Sequence, residues 1–266
     1  MPIIAETDGG IAILKLSVPK DSYIDETLIA DLDRAVRKAD ENDAVKVIVI
    51  TGAEPGSFIL HYNLRDVEAT SRQLVEKAAL FGEHRHIPER RIDLLFRRLE
   101  TSPKITICAI GGTALGGAAE LALACDFRLM QKGDFLFGVP EIRIGMLPGA
   151  GGTQRLTRAV GVPKALDLIL HGRRMTPEEA AAYGVLHEAT DGPVLERALE
   201  RARDLARLPA MALGHVKRLV YAANEEPLYK TLDLERALFL ELMANREALQ
   251  MVSELNASGG DFRTVD

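Results

Sequence analysis

Residues 111–156 read GGTALGGAAELALACDFRLMQKGDFLFGVPEIRIGMLPGAGGTQRL, a stretch that sets two glutamates, Glu120 and Glu141, among glycine turns and small apolar residues. A carboxylate in such surroundings is either paired or working, because an isolated buried charge is costly. Two carboxylates facing one pocket can move protons for a substrate without help from a metal or cofactor. Within and just before this stretch, ITICAI (105–110) reads as a buried strand ended by Gly111 and Gly112. GGAAELALA (116–124) reads as a buried helix entered through a glycine pair, and DFRLM (126–130) and DFLFGV (134–139) read as short strands.

Working outward, IAILKLSV (11–18) and VKVIVIT (45–51) have the pattern of strands, the second fully buried and closed by Gly52 and Pro55-Gly56. Between them Leu28, Leu32, Ala35 and Val36 recur at i, i+4, i+7 and i+8, one face of a helix. Strands alternating with helices predict an α/β fold with crossover connections. From Thr153 onward the pattern turns helical, punctuated by Gly161, Gly172 and Gly184. Thr176-Pro177-Glu178-Glu179 is a helix start: a cap, a proline in the first turn, then acids at the positive end. Residues 193–251 read as helices broken near Pro209 and Pro227. A boundary near residue 205 separates a core, 1–205, from a helical region, 206–266. The latter holds Leu232, Leu234, Leu238, Phe239, Leu242 and Met243, more apolar surface than a solvated helix needs. That predicts packing on another subunit or back on the core. The tail NASGGDFRTVD is expected to fray.

Bulk properties exclude several classes. The 266 residues are 47% hydrophobic and 27% charged, as suits a globular core, and the net charge of −6 offers no global basic field for nucleic acid. No apolar run is long enough to span a bilayer, and MPIIAETDGG lacks the pattern of a secretory signal. Cys108 and Cys125 both sit in apolar segments without zinc spacing, which predicts buried thiols in a reducing, cytoplasmic setting. His84 and His86 form an H-x-H in the charged connection FGEHRHIPERR (81–91), but no acid or histidine stands at a matching spacing for a metal.

Each candidate residue has an ordinary reading beside the functional one. The Gly117 N–H at the start of the 116–124 helix is a free donor that a ligand oxygen can approach closely, or the glycine serves only packing. Glu120 is a working carboxylate or an acid favoured by the helix dipole. Glu141 is a working carboxylate or half of a salt bridge to Arg143 or Arg155.

ALGGAAELALACD, followed by F-G-x-P-E and GMLPGAGGTQRL, closely resembles the enoyl-CoA hydratase/isomerase superfamily, the crotonases. GRRMTPEEAAAYGVLHE (172–188) is similar to the family's G-x-x-x-x-A-x-E-A-x-x-x-G-L-V, and the likeness covers nearly the whole chain. The resemblance implies a ClpP/crotonase fold: a core of repeated ββα units with a C-terminal helical region that forms homotrimers, which pair into homohexamers. It implies an acyl-CoA substrate, with coenzyme A arriving as part of the thioester, and no other cofactor and no metal. It further implies an oxyanion hole from the backbone N–H groups of Gly117 and Tyr62, with Leu60, His61, Asn63, Gly116, Pro140 and Gly149 lining the substrate. Because family hydratases carry two glutamates at the positions of Glu120 and Glu141, the implied reaction is syn hydration of a 2-enoyl-CoA. Glu120 would activate the water and Glu141 protonate Cα.

Two departures qualify this. The family's A-G-A-D has become Leu60-His61-Tyr62-Asn63. Either this is a harmless loop change or it signals another substrate, with His61 as an added acid/base and Tyr62 facing the acyl group or the CoA. An isomerase, a thioester hydrolase or a C–C bond hydrolase would then be the alternative enzyme, and a non-catalytic binding or assembly protein the alternative outside enzymes. The basic C-terminal F-x-E-K-R-x-P-x-F pattern is replaced by NREALQMVSELNASGGDFRTVD, where Arg246 and Arg263 are present, while Arg85, Arg90 and Arg91 are candidates to compensate at CoA phosphates.

Overall fold

The structure is a computed structural model that describes residues 2–19, 22–82, 84 and 86–264, so Arg85 lies outside the described residues. Strands β1 (Ile3–Asp8) and β2 (Ile11–Leu16) form an antiparallel hairpin. Its two turn residues, Gly9 and Gly10, both have positive φ (54° and 83°), the geometry of a type I′ turn, which side chains resist. Asp8-Gly9-Gly10 is the sequence signal for this hairpin. Helix α1 (Glu26–Asp40), capped by Asp25, leads to β3 (Val47–Gly52). Helices α2 (Leu64–Glu76) and α3 (Arg91–Thr101) precede β4 (Ile105–Ile110) and the short β5 (Ala114–Leu115). Then come α4 (Gly117–Leu123), β6 (Phe127–Gln131) and β7 (Phe137–Gly138). Helices α5 (Gly152–Val160) and α6 (Val162–Leu170), strand β8 (Arg174–Met175), helix α7 (Pro177–Tyr183) and strand β9 (Glu188–Thr190) complete the core chain. Helices α8 (Val194–Ala206), α9 (Ala210–Ala222), α10 (Leu228–Met243) and α11 (Arg246–Ala257) follow.

The main sheet runs β1-β2-β3-β4-β6-β9, parallel from β2 onward, and β5-β7-β8 form a second, smaller sheet. A strand, a short segment of the second sheet and a helix recur as β4-β5-α4 and β6-β7-α5. The α/β class expected from the sequence is observed. Apart from Thr51 and Thr106, β3 and β4 are apolar, because both faces of the sheet are covered there. Ile48, Ile50, Cys108 and Ile110 point into one core with α1, α3 and α4. Val47, Val49, Ile105, Ile107 and Ala109 point into another, closed by Val194, Ala198 and Ala202 of α8. The hairpin strand β1 and the three-residue β9 escape sequence reading because neither carries a long periodic apolar pattern, and α2 escapes it although it is amphipathic, its apolar face burying no residue.

Past the last residues of β3 and β4 the chain crosses itself tightly. A side chain at Gly52 would lie 2.3 Å from the Ser57 carbonyl oxygen, and one at Gly112 would lie 3.0 Å from that of Gly56. These glycines let the 56–62 segment pass over the carboxyl ends of the parallel strands, where ligands bind in open α/β sheets.

Helix α9 is tied to the core by a buried polar knot. Lys217 pairs with Asp126 at 2.8 Å and donates to the carbonyls of Leu99 and Lys104. Asp126 also accepts from Thr106 N–H, Thr106 Oγ1 and Tyr221 Oη. Removing one partner leaves the other charge buried and unpaired, which costs roughly 3–5 kcal/mol. Lys217→Met is therefore expected to shift the urea midpoint down by a loss of that order. Lys217→Met with Asp126→Leu recovers part of it.

Candidate active site

Three segments converge beyond the strand ends: 60–63, the turn at Gly116 into α4, and 140–152. Leu115 N–H donates to the Leu60 carbonyl at 2.8 Å. In a parallel ladder the next rung would run from Tyr62 N–H to the Leu115 carbonyl. Gly116, at φ 50° and ψ −125°, turns the chain away before that rung forms. On its other edge the 60–63 segment is bridged by Ile24, whose N–H goes to the His61 carbonyl and whose carbonyl accepts Asn63 N–H, so Tyr62 N–H faces away from Ile24. Gly117 opens α4, so its N–H has no intrahelical acceptor. Among the described residues neither N–H has a protein partner. The two lie together: a side chain at Gly117 would sit 3.3 Å from Tyr62 Cβ and 3.6 Å from Tyr62 N. Two adjacent, unpaired backbone donors are what a developing oxyanion requires.

Glu120 is buried, 3% exposed, yet does not cap its own helix. Its Oε1 accepts the backbone N–H groups of Ala150 (2.7 Å) and Gly152 (2.8 Å), from the glycine-rich turn before α5. Among the described residues Oε2 accepts none. A side chain at Gly152 would meet Glu120 at 2.9 Å, so only glycine allows the contact. Burial raises the Glu120 carboxyl above its usual range, while those two N–H groups and the charges of Arg155 and Arg90 draw it back down.

Glu141 opens a 3₁₀ turn, Glu141–Ile144, after Pro140. The salt-bridge reading does not hold. Arg143 donates to the carbonyls of His171 and Gly172, and Arg155 pairs with Glu100. Glu141 Oε2 is buried and, among the described residues, has no hydrogen-bond partner. Burial raises its pKa to about 7, and the nearby Glu120 charge adds to the rise. Its Oε1 packs against Gly116, where a side chain would intrude to 2.9 Å. Gly116 thus serves both the turn and the carboxylate.

The substituted loop has ordinary roles. His61 is not at positive φ; among the described residues Ala78 is the only non-glycine there. His61 Nδ1 bonds the Tyr62 carbonyl at 2.6 Å, and its ring packs on Tyr23 at 4.6 Å. The Tyr62 ring packs on the core and its hydroxyl reaches Glu26, not a pocket. The Asn63 side chain caps α2 by accepting Arg65 N–H at 3.1 Å. Arg90 is engaged at the site by the Gly149 carbonyl, Arg91 is exposed at the start of α3, and Arg263 pairs with Asp261. His84 and His86 are exposed, and among the described residues no cluster of three or more His, Cys, Asp or Glu could hold a metal. Sequence reading missed the donor role of the Gly149–Gly152 turn, because the contact joins positions 30 and 32 residues apart.

The family model described as enoyl-CoA hydratase/isomerase matches residues 6–257. A probable enoyl-CoA hydratase of Rhizobium meliloti is 34% identical over 92% of this chain and 91% of its own. A fatty acid oxidation complex subunit alpha of Shewanella frigidimarina is 31% identical over 77% of this chain, which spans only 28% of that longer protein. Among solved structures, the enoyl-CoA hydratase of Bacillus anthracis superposes with a TM-score of 0.85 at 26% identity, covering 97% of both chains.

The Glu141 geometry has a cost for folding. A carboxyl whose folded pKa is raised binds its proton more tightly in the native state. Its contribution to stability is complete below the unfolded value of 4.5 and is lost as pH rises through about 7. Glu141→Gln should therefore melt above wild type at pH 8, by roughly 2–4 °C, and show no such gain at pH 4. Calorimetry at the two pH values checks this.

Proposed function

The chain belongs to the enoyl-CoA hydratase/isomerase family, and on that premise we propose that it is an enoyl-CoA hydratase-type hydro-lyase, adding water syn across the double bond of a 2-enoyl-CoA thioester. The observation that carries this reading is the pairing of two unlike carboxylates. Glu120 has one oxygen fixed by two backbone N–H groups and the other unengaged by protein among the described residues. Glu141 has a buried oxygen without a hydrogen-bond partner among the described residues and a pKa near neutrality. Separated titrations are how two carboxyls divide acid and base roles.

In this reading the thioester oxygen lies between Tyr62 N–H and Gly117 N–H, which take up negative charge as the enolate develops. Glu120, ionised, accepts a proton from water through its open oxygen as the water attacks Cβ. Glu141, protonated near pH 7 in a useful fraction, gives its proton to Cα. Loss of an oxyanion donor costs roughly 3 kcal/mol of barrier. Leu60, His61, Gly116, Pro140 and Gly149 flank this space, and Asn63 holds the loop through its cap. Coenzyme A enters as part of the substrate, and no other cofactor has a step to perform. The alternatives based on His61 as an acid/base are the second reading: its Nδ1 is held by the Tyr62 carbonyl and its ring packs on Tyr23, while Glu120 and Glu141 already supply a complete proton route.

Residues 206–266 act, in this proposal, as the helical oligomerisation region, and 1–205 as the catalytic core. The exposed Leu228, Tyr229, Phe239, Leu240 and Met243 of α10 are surface that a homotrimer or homohexamer would cover. Among the described residues no helix is long and apolar enough to cross a membrane. The two free, buried cysteines suit a cytoplasmic site of action.

Purified protein mixed with crotonyl-CoA should remove the ultraviolet band of the conjugated thioester. Glu120→Gln and Glu141→Gln are each expected to lower kcat by roughly a hundredfold or more. Hydration should decline as pH rises above about 7, where Glu141 loses its proton. An unchanged band with folded wild type would overturn the assignment; a Glu141→Gln variant within a few fold of wild type would overturn its acid role. Sedimentation equilibrium should return a trimer or hexamer mass, and a monomer mass would reject the role given to 206–266.

A further inference from the structure

Glu120 owes its position to the turn 149–152, and that turn is itself held from behind. Arg90, at the start of α3, donates Nη2–H to the Gly149 carbonyl at 2.5 Å. Its guanidinium is oriented by Asp93, which accepts from Nε at 2.9 Å, from Nη2 at 2.8 Å and from the Arg90 backbone N–H at 2.9 Å. The Gly149 carbonyl and the Ala150 N–H belong to one peptide unit. That peptide is trans, so the two groups point in opposite directions. One end meets Arg90 and the other meets Glu120 Oε1, at 2.7 Å. A cation on a carbonyl polarises the amide and strengthens the hydrogen bond its N–H donates.

We infer that Arg90 is a positioning residue for Glu120, acting through the single peptide Gly149–Ala150 to fix and strengthen the hydrogen bond that holds Glu120 Oε1. The inference rests on the base role given to Glu120 above, but its geometry does not. Arg155 steadies the next peptide from the α5 side, donating to the Ala150 carbonyl at 2.6 Å while bound to Glu100 at 2.5 and 2.7 Å. That next peptide carries the Gly151 N–H, which is not a donor to Glu120. So Arg155 braces the turn, whereas Arg90 couples directly to the bond that Glu120 accepts. The charged groups that act on Glu120 are Arg90, Arg155 and Glu141. Asp93 and Glu100 stand behind the two arginines. Arg90 is the member of this set open to substitution, because its side chain is 55% exposed, whereas that of Arg155 is 15% exposed.

The test is the titration of the Glu120 carboxyl carbon, followed by NMR in protein labelled with 13C-glutamate and assigned by loss of the resonance in Glu120→Gln. In Arg90→Gln the Glu120 titration should move up by roughly half a pH unit or more. In Arg90→Lys, which keeps a charge but loses the fork, the shift should be smaller. Turnover of crotonyl-CoA should follow: kcat lower by roughly ten- to a hundredfold, KM little changed, and the acidic limb of the pH profile displaced upward with the NMR value. A Glu120 titration in Arg90→Gln that coincides with wild type overturns the inference, even if activity falls. If wild type does not hydrate crotonyl-CoA, the hydratase reading fails on its own, and the NMR comparison still decides the role of Arg90.

Discussion

The burial of one negative charge, on Glu120, is the constraint around which the rest of this molecule is arranged. A carboxylate inside an apolar core is tolerated only if donors replace the water it loses. Here the donors are backbone amides of a turn from a different part of the chain. That choice forces glycine at 152, brings α5 against α4, and requires the carbonyls of the same turn to find partners of their own. Arg90 and Arg155 supply them, and each is anchored in turn by an acid of α3. A single buried charge thus links α3, α4 and α5 into one polar unit at the edge of the core.

The neighbouring carboxylate is treated in the opposite way. Among the described residues Glu141 Oε2 receives no compensating partner, and burial raises its proton affinity to near neutrality. The same low-polarity environment raises the proton affinity of both carboxyls; at Glu120 two backbone N–H groups and two arginines oppose the rise, whereas at Glu141 the Glu120 charge adds to it. The difference arises from donors, not from depth. The donor pair formed by Tyr62 and Gly117 follows the same logic at the backbone level: Gly116 bends the chain one residue too early for the ladder to continue, and two amides are left facing outward.

Much of this was legible in the amino-acid sequence. The apolar runs 45–51 and 105–110 announce strands covered on both faces, and their alternate residues do divide between two cores. Thr176-Pro177-Glu178-Glu179 announces a capped helix, and Thr176 and Glu179 do form a capping box. The glycine pairs around 116 and 151 mark places where backbone approaches something closely. Less legible were α2, which buries no residue, and the chemistry of the 60–63 loop, whose unusual side chains turn out to pack, cap and bond locally. His61 stands where the family pattern has glycine, and its backbone is not in the left-handed region that would make that exchange costly.

By itself the sequence determined the periodicities, the turns, the family resemblance and the identity of the two glutamates, because these depend on residues near one another along the chain. Which carboxylate oxygens are held by donors, and which backbone amides are free, was decided only by tertiary structure. Glu120 meets its donors across 30 residues, and the turn meets Arg90 across 59. The proton affinity of a buried group depends on every dipole and charge around it, and those neighbours are assembled by folding.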